Sequence, residues 1–293
     1  MGAGAVVLHD GAAWAYHPDA PSGSIGAVVT WALTQSASAV NLLVDGAAGR
    51  EAFVVGGFAE PRPVVWSIDG RSISPAQAVP PTIEPAPACA EQMAVLAEAG
   101  LDVVADHGVW IGEHNGLEVA RVGLRDDACG IDIGVGAYDQ FASSALAGDR
   151  DPAEALHGVV EMVRPHRVVG SAPHPMGRLV RSRWLRASAV RTPDTLGLDS
   201  LDPTPLLDPR PGLMESQPAA GLGRRGTETV LVVFTVGLDL GVTETAAGLI
   251  ALHEPDAALI VLPARDRHPR IVEAAQALGC PTEVVALEGE WSD

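Results

Sequence analysis

Residues 228–236 read ETVLVVFTV, and two further apolar stretches follow, AALIVLP at 257–263 and EVVAL at 283–287. Segments of this length that are apolar throughout are typical of strands buried on both faces. Helices are predicted between them, over 243–254 and 268–279, because Thr, Pro and Gly stand where helix caps and stops are expected. Strands that alternate with helices in this way predict a parallel β-α-β-α-β unit.

The rest of the chain extends this reading to an α/β protein built of several parts. In the N-terminal part we predict a helix over 24–44 and a strand over 52–58, and in the central part an Arg-rich helix over 176–190. The predicted parts are a small α+β unit at 1–78, a Pro-rich linker at 79–88, a central α/β unit with a mixed sheet at 89–191, a Pro- and Gly-rich linker at 192–226, and the C-terminal parallel unit at 227–293.

The composition indicates in which cellular compartment the protein is expected. No apolar run approaches the roughly 18 residues of a membrane helix, and no positive charge precedes Arg50, so neither a membrane partner nor a secretory signal is expected. The three cysteines, Cys89, Cys129 and Cys280, are far apart and odd in number. This pattern predicts free thiols in a reducing compartment, and therefore a cytoplasmic location.

All 19 basic residues are arginine, and the chain contains no lysine. The absence of lysine excludes a P-loop, a Schiff-base lysine and the internal lysine of a pyridoxal enzyme. The sequence also lacks a C-x-x-C pair, a G-x-G-x-x-G loop and histidines at metal-ligand spacing. No cofactor and no metal site therefore follow from the sequence.

The chain is acidic, with a net charge of −18, but its positive charge is concentrated in one segment. Residues 162–193 contain seven arginines and no acidic residue, which leaves −25 for the rest of the chain. Arginine binds phosphate and carboxylate bidentately, so this segment predicts an anionic ligand or nucleic acid as partner. With 37 acidic residues in the chain, pairing inside the protein is the alternative. The candidate anion-binding residues are His174, Arg178, Arg181, Arg183 and Arg186.

The predicted order helix, strand, strand, strand, helix over about 89–163 is similar to the core of the PD-(D/E)XK nuclease superfamily. In that fold an Asp and a (D/E)-x-K motif hold a divalent metal ion, and the lysine helps to activate water. The resemblance places Asp106 first and Glu118 second as catalytic candidates, with Ala120 at the lysine position, and so implies a catalytically degenerate core. Glu113 and Gln140 are further polar candidates, and the alternative is that the carboxylates are solvent-facing residues of an antiparallel sheet.

A second candidate site lies where the C-terminal parallel strands end. Ligands of parallel sheets bind beyond the carboxyl ends of the strands. The polar residues at those positions are Asp239, Arg265, Asp266 and His268, and they predict a small-molecule site with acid, base and cation on one edge. The alternative is that Asp266 caps a helix and Asp239 closes a turn.

Three function hypotheses follow: an anion- or nucleic-acid-binding protein that uses the Arg-rich segment, a small-molecule α/β enzyme with its site at the C-terminal sheet edge, and a non-catalytic scaffold subunit. As a whole, the Ala- and Arg-rich chain resembles conserved proteins that are common in actinobacteria, with the run HPMGRLVRSRWLR at 174–186. That resemblance implies no particular activity.

Overall fold

A computed structural model describes residues 4–18, 23–136, 139–140, 151–210, 212–239 and 241–291. It confirms the α/β class, with helices and three sheets. The chain forms two compact units: the first comprises residues 1–82 and 223–286, and the second comprises residues 83–222 and 287–293. Every helix within the described ranges is too short or too polar to cross a membrane.

The N-terminal part of the first unit contains a five-stranded mixed sheet whose strands follow one another in chain order. The outer pairs are antiparallel hairpins, and the two inner pairings are parallel. Helix α1 (Ser24–Thr34) connects β2 to β3, and α2 (Gly49–Val54) with a 3-10 turn (Val55–Gly57) connects β3 to β4. The strands are β1 (Ala5–His9), β2 (Ala12–His17), β3 (Ala39–Asp45), β4 (Val64–Asp69) and β5 (Ser72–Pro75).

Two local predictions in this part are wrong. The predicted helix over 24–44 ends at Thr34, because Ser36 takes a left-handed conformation with φ of 52° and the chain then enters β3. The predicted strand over 52–58 is instead α2 and its 3-10 turn. A short apolar run buries equally well as a helix or as a strand, so the sequence pattern alone does not separate the two.

The predicted parallel unit at the C-terminal end of the chain is confirmed. Strands β12 (Glu228–Phe234), β13 (Ala257–Leu262) and β14 (Thr282–Ala286) run parallel in that order. Helix α7 (Val242–His253) connects the first two strands, and α8 (Pro269–Ala275) connects the last two. Leu231, Val233 and Phe234 are completely buried, which agrees with a strand covered on both faces.

The structure groups most of the predicted N-terminal and C-terminal parts in one unit, where the sequence predicts two separate ones. The two parts pack so closely that their backbones are in contact. A side chain at Gly57 would collide with the carbonyl group of Ala247 in α7. Glu244 of α7 also accepts a hydrogen bond from the backbone N–H of Ile25, at 2.8 Å, in the first turn of α1. Such contacts between residues more than 180 positions apart leave no periodic signal in the sequence.

The second unit is built on an antiparallel meander of four strands, with β6 and β9 at its edges. Helices α3 (Ala90–Glu98) and α4 (Pro152–Val163) bury Leu96, Leu156 and Val160 against it in one apolar core. The two predicted helices flank the strands as expected, but the sheet between them has four strands and not the three of the nuclease-like order. The strands are β6 (Asp102–Asp106), β7 (Val109–His114), β8 (Leu117–Arg125) and β9 (Ala128–Ile133). The apolar stretch 131–137 predicts a strand in the sequence, and residue 137 lies outside the described residues.

Two further segments of the second unit differ from prediction. The Arg-rich helix is interrupted, so that α5 (Pro175–Arg178) and α6 (Arg181–Arg191) are separate helices. The predicted linker at 192–226 contains β10 (Ser200–Thr204) and β11 (Ala219–Arg225), which are neighbours in one sheet. Strand β11 leads the chain into the first unit.

The cysteines also correct the prediction of free thiols. Cys89 and Cys129 form a disulfide that ties the N-terminal end of α3 to β9, and Cys280 is the free thiol. Both paired residues belong to the apolar core of the second unit. The closed loop spans 40 positions of sequence, so the pairing leaves no local signature such as C-x-x-C.

We expect the Cys89→Ser/Cys129→Ser double variant to lower the free energy of unfolding by about 4 kcal/mol, because a crosslink over a loop of this length restricts the unfolded chain. Urea denaturation under non-reducing conditions measures the change. Cys280→Ser is the matched control and should change stability little. If the unfolded wild type shows three reactive thiols without reduction, the disulfide assignment is wrong.

Candidate functional site

A cluster of buried charges lies where the sheet of the second unit meets α6. Glu113 of β7 is only 1% exposed, and both of its carboxylate oxygens are occupied. Its Oε2 accepts from Arg186 NH2 and its Oε1 from Arg210 NH1, each at 2.5 Å. Burial would raise the pKa of Glu113, but Arg186 and Arg210 hold it at about 2. The carboxylate is therefore ionised throughout the neutral range.

The two catalytic candidates from the nuclease resemblance lie beside this cluster, and each has a different arginine as partner. Asp106 pairs with Arg210 Nε at 2.8 Å. Glu118 accepts from Arg121 NH2 and from Gln140 Nε2, both at 3.0 Å. Both carboxylates are more than nine-tenths buried, so the alternative of solvent-facing carboxylates is wrong for them.

The cross-strand register explains why arginines are needed here. Glu113 and Glu118 lie directly opposite each other in the β7–β8 pair, next to a register shift. Two carboxylates opposite each other repel, and the repulsion is strong in a buried position. Arg186 and Arg121 supply the compensating positive charges, one to each carboxylate.

Arg167 is responsible for the break between α5 and α6. Its NH1 donates to the carbonyl groups of Met176 and Leu179, which would accept from backbone N–H groups in a continuous helix. Leu179 is extended and Val180 is left-handed at the break. The guanidinium also lies 4.2 Å from the Trp184 ring centroid. Burial lowers the pKa of Arg167 to about 9, which still leaves it charged at neutral pH.

The break opens a positively charged cleft, which we call the 174–181 cleft. It is lined by His174, Arg178, Arg181 and Trp291, among other residues, and the described lining contains no carboxylate. Its cavity volume is about 20 Å³, which is room for one or two water molecules. Arg178 is exposed, and no carboxylate of the described residues lies within ion-pair distance of it.

The histidine of the cleft has a defined role in the local backbone. His174 caps α5, because its Nδ1 accepts from the Met176 backbone N–H at 3.3 Å. A neutral imidazole that accepts at Nδ1 carries its proton on Nε2, so His174 has one donor available for a ligand. Its ring is stacked on His166 with 3.6 Å between centroids. Arg181 lies over the ring of Trp291, at 5.2 Å from the centroid.

The structure therefore divides the five predicted anion-binding residues between two places. His174, Arg178 and Arg181 line the 174–181 cleft, whereas Arg183 and Arg186 are 4% and 3% exposed. Arg186 is paired inside the protein, as the alternative interpretation of the Arg-rich segment expects. Arg181 and Arg183 are only two positions apart in α6, but the helix is buried on almost every side from Ser182 to Ala189.

The residues predicted at the C-terminal sheet edge are used mainly in backbone contacts. Asp266 accepts from the Gly237 N–H at 2.8 Å, and Asp239 accepts from the Gly241 N–H at 2.8 Å. His268 caps α8 through the Arg270 N–H, and Arg265 has contacts of its own. Burial raises the pKa of Asp239, although the Gly241 N–H opposes this. Asp239 closes a turn, as the alternative expects, but the helix cap is His268 and not Asp266.

Sequence reasoning misses two residues on which the site depends. Arg210 lies in the Pro- and Gly-rich stretch 202–212, where no periodicity marks a residue as buried. Arg167 lies in the acid-free segment, but nothing in its neighbourhood distinguishes a structural arginine from a ligand-binding one. Both are revealed only by partners that are far away in sequence.

No group of three His, Cys, Asp or Glu side chains in the described part of the chain is arranged to hold a metal ion. Comparisons of the chain with protein-family models, with curated proteins and with solved structures found no match.

We expect Arg186→Met to lower the free energy of unfolding by about 3–5 kcal/mol, because it leaves the buried Glu113 carboxylate with one cation fewer. Arg164→Met is the matched control. Arg164 pairs with Glu161 at the surface, where both side chains are about half exposed, so its loss should change stability by less than about 1 kcal/mol. Equal effects of the two variants in urea denaturation would contradict the account of the cluster.

Proposed function

We propose that the protein binds a phosphate-bearing ligand through the 174–181 cleft. The observation that carries the proposal is an open site with cationic donors and no lining carboxylate, in a chain whose net charge is −18. Free carboxylates are abundant in this protein, so a cleft without them is an exception. An oxyanion from solution is the natural counter-charge for such a site.

The donors of the cleft suit a phosphate group. The guanidinium group of Arg178 is exposed and presents a planar fork that matches two oxygens of a phosphate, and Arg181 adds positive charge to the same cleft. His174 adds a single N–H donor, and its backbone contact through Nδ1 fixes its orientation. The Arg181 guanidinium is held over Trp291, which reduces the entropy that it loses when a ligand binds.

The size and charge of the surroundings favour a small ligand or a chain end over a long nucleic acid. The enclosed part of the cleft, about 20 Å³, holds no more than one or two oxygen atoms of a ligand, so the phosphate group itself would lie at the mouth of the cleft beside the exposed Arg178. Because Arg183 and Arg186 are buried, two of the four predicted arginines remain for contacts with phosphates. The acidic remainder of the chain repels a polyanion that extends beyond the cleft.

Cleavage of nucleic acid is not part of this proposal, because arginines engage both Asp106 and Glu118. The small-molecule enzyme and the scaffold subunit stay predictions. A cytoplasmic location also stays a prediction, and the disulfide between Cys89 and Cys129 does not favour it, since disulfides are rare in reducing compartments.

The test is calorimetric titration with inorganic phosphate, a nucleoside monophosphate and a single-stranded 20-nucleotide DNA, each at two salt concentrations. We expect all three to bind, and Arg178→Ala and Arg181→Ala each to weaken binding about 10-fold or more, as for a lost hydrogen bond to a charged group. With two arginines in contact, the slope of log affinity against log salt for DNA should be no steeper than about −2.

Arg164→Ala is the matched control, because Arg164 is an exposed arginine of the same acid-free segment and already pairs with Glu161. It should leave phosphate binding unchanged. Failure of millimolar phosphate to bind at low salt would overturn the proposal, as would equal binding by wild type and the Arg178→Ala variant. A salt slope much steeper than −2 would point to a larger nucleic-acid surface instead.

A further inference from the structure

Arg183 is a buried cation that Glu113 and Glu118 attract only from beyond ion-pair distance. Its side chain is on α6, 4% exposed, and its NH1 nitrogen is buried with no hydrogen-bond partner among the described residues. No carboxylate in the described part of the chain lies within ion-pair distance of it. Burial lowers the pKa of Arg183 to about 10, and the next largest effect is repulsion from Arg210.

A cavity adjoins this side chain. Arg183, Arg186 and Arg210 line it together with Thr204, Asp106 and Asp208, and its volume is about 20 Å³. That volume holds one or two water molecules or one monatomic ion. Asp208 is only half-buried, so the cavity is reachable from solvent.

Three arginines and two aspartates line the cavity, so its lining keeps one formal positive charge in excess. Asp106 is paired with Arg210, and Asp208 has contacts of its own. Glu113, which is not a lining residue, is shared between Arg186 and Arg210. Arg186 Nε is also buried without a partner, so two guanidinium groups present unused N–H donors at this place.

We infer that this cavity binds a small inorganic anion of the halide class, with Arg183 as its principal ligand. A buried charge without a partner is costly, and a water molecule supplies hydrogen bonds but no counter-charge. A halide ion supplies both, and it accepts hydrogen bonds from several N–H groups at once. This site is separate from the 174–181 cleft, and its occupancy does not depend on the function proposed for that cleft.

The test is the thermal unfolding midpoint in sodium chloride, sodium bromide and sodium gluconate at constant ionic strength. We expect chloride and bromide, but not gluconate, to raise the midpoint saturably. At a halide concentration about five times Kd, the rise should be roughly 2–4 °C. Arg183→Met should abolish the halide dependence, whereas Arg178→Ala in the cleft should retain it.

Bromide in crystals of the wild-type protein gives an independent readout, because its anomalous scattering should produce a peak beside Arg183. This readout decides the question even if Arg183→Met does not fold, and Arg183→Gln provides a second variant. The inference is overturned if no bromide peak appears in the cavity, or if the halides stabilise wild type no more than gluconate does. Equal halide stabilisation of wild type and a folded Arg183 variant would also overturn it.

Discussion

The ion pairs of Glu113 with Arg186 and Arg210 are the interaction on which the second unit depends. They join β7 to two segments that are 73 and 97 residues further along the chain. Burying three charged groups together is costly unless the geometry leaves few of their hydrogen-bonding atoms unused. The three charged side chains therefore stabilise the second unit only when all of them are present. Removing one member leaves the others buried without compensation, which is more damaging than losing a surface pair.

This network also determines which positive charges remain available to ligands. Helix α6 presents Arg183 and Arg186 to the interior because the chain breaks at Leu179 and Val180, and Arg167 stabilises that break by binding the free carbonyl groups. The same break leaves Arg178 exposed at the end of α5. Arg167 thus divides the Arg-rich segment into a part whose arginines are buried and a part whose arginines line the 174–181 cleft. The proposed phosphate site and the inferred halide site lie on opposite sides of this division.

The continuous apolar runs at the C-terminal end of the chain are the part of the sequence that predicts the fold best. Strands β12 and β13 are buried on both faces, and helix caps such as His268 mark the segments between the strands, so the local pattern predicts the tertiary arrangement. Short apolar runs were less informative. Residues 52–58 bury as a helix although they suit a strand, because packing against α7, not propensity, decides their conformation.

The residue types of the candidate site can be predicted from the sequence, but the positions of their side chains cannot. The acid-free segment correctly identifies where cations are concentrated, but it does not reveal that Arg183 and Arg186 are buried, because α6 is enclosed on almost every side by contacts distant in sequence. Asp106, Glu113 and Glu118 alternate along strands as solvent-facing residues do, and only the distant arginines reveal that they are buried. The disulfide and the contribution of Arg210 depend on contacts 40 and 97 residues apart, which carry no local signal.

The division of the Arg-rich segment is the central claim, and arginine-specific modification followed by mass spectrometry tests it most directly. Phenylglyoxal should modify Arg178 rapidly in the native protein, and phosphate should slow that reaction. Arg183 and Arg186 should react only after the protein is unfolded. If Arg183 and Arg186 react in the native protein as fast as Arg178, the buried charge network does not exist as described, and the whole segment is an exposed basic surface.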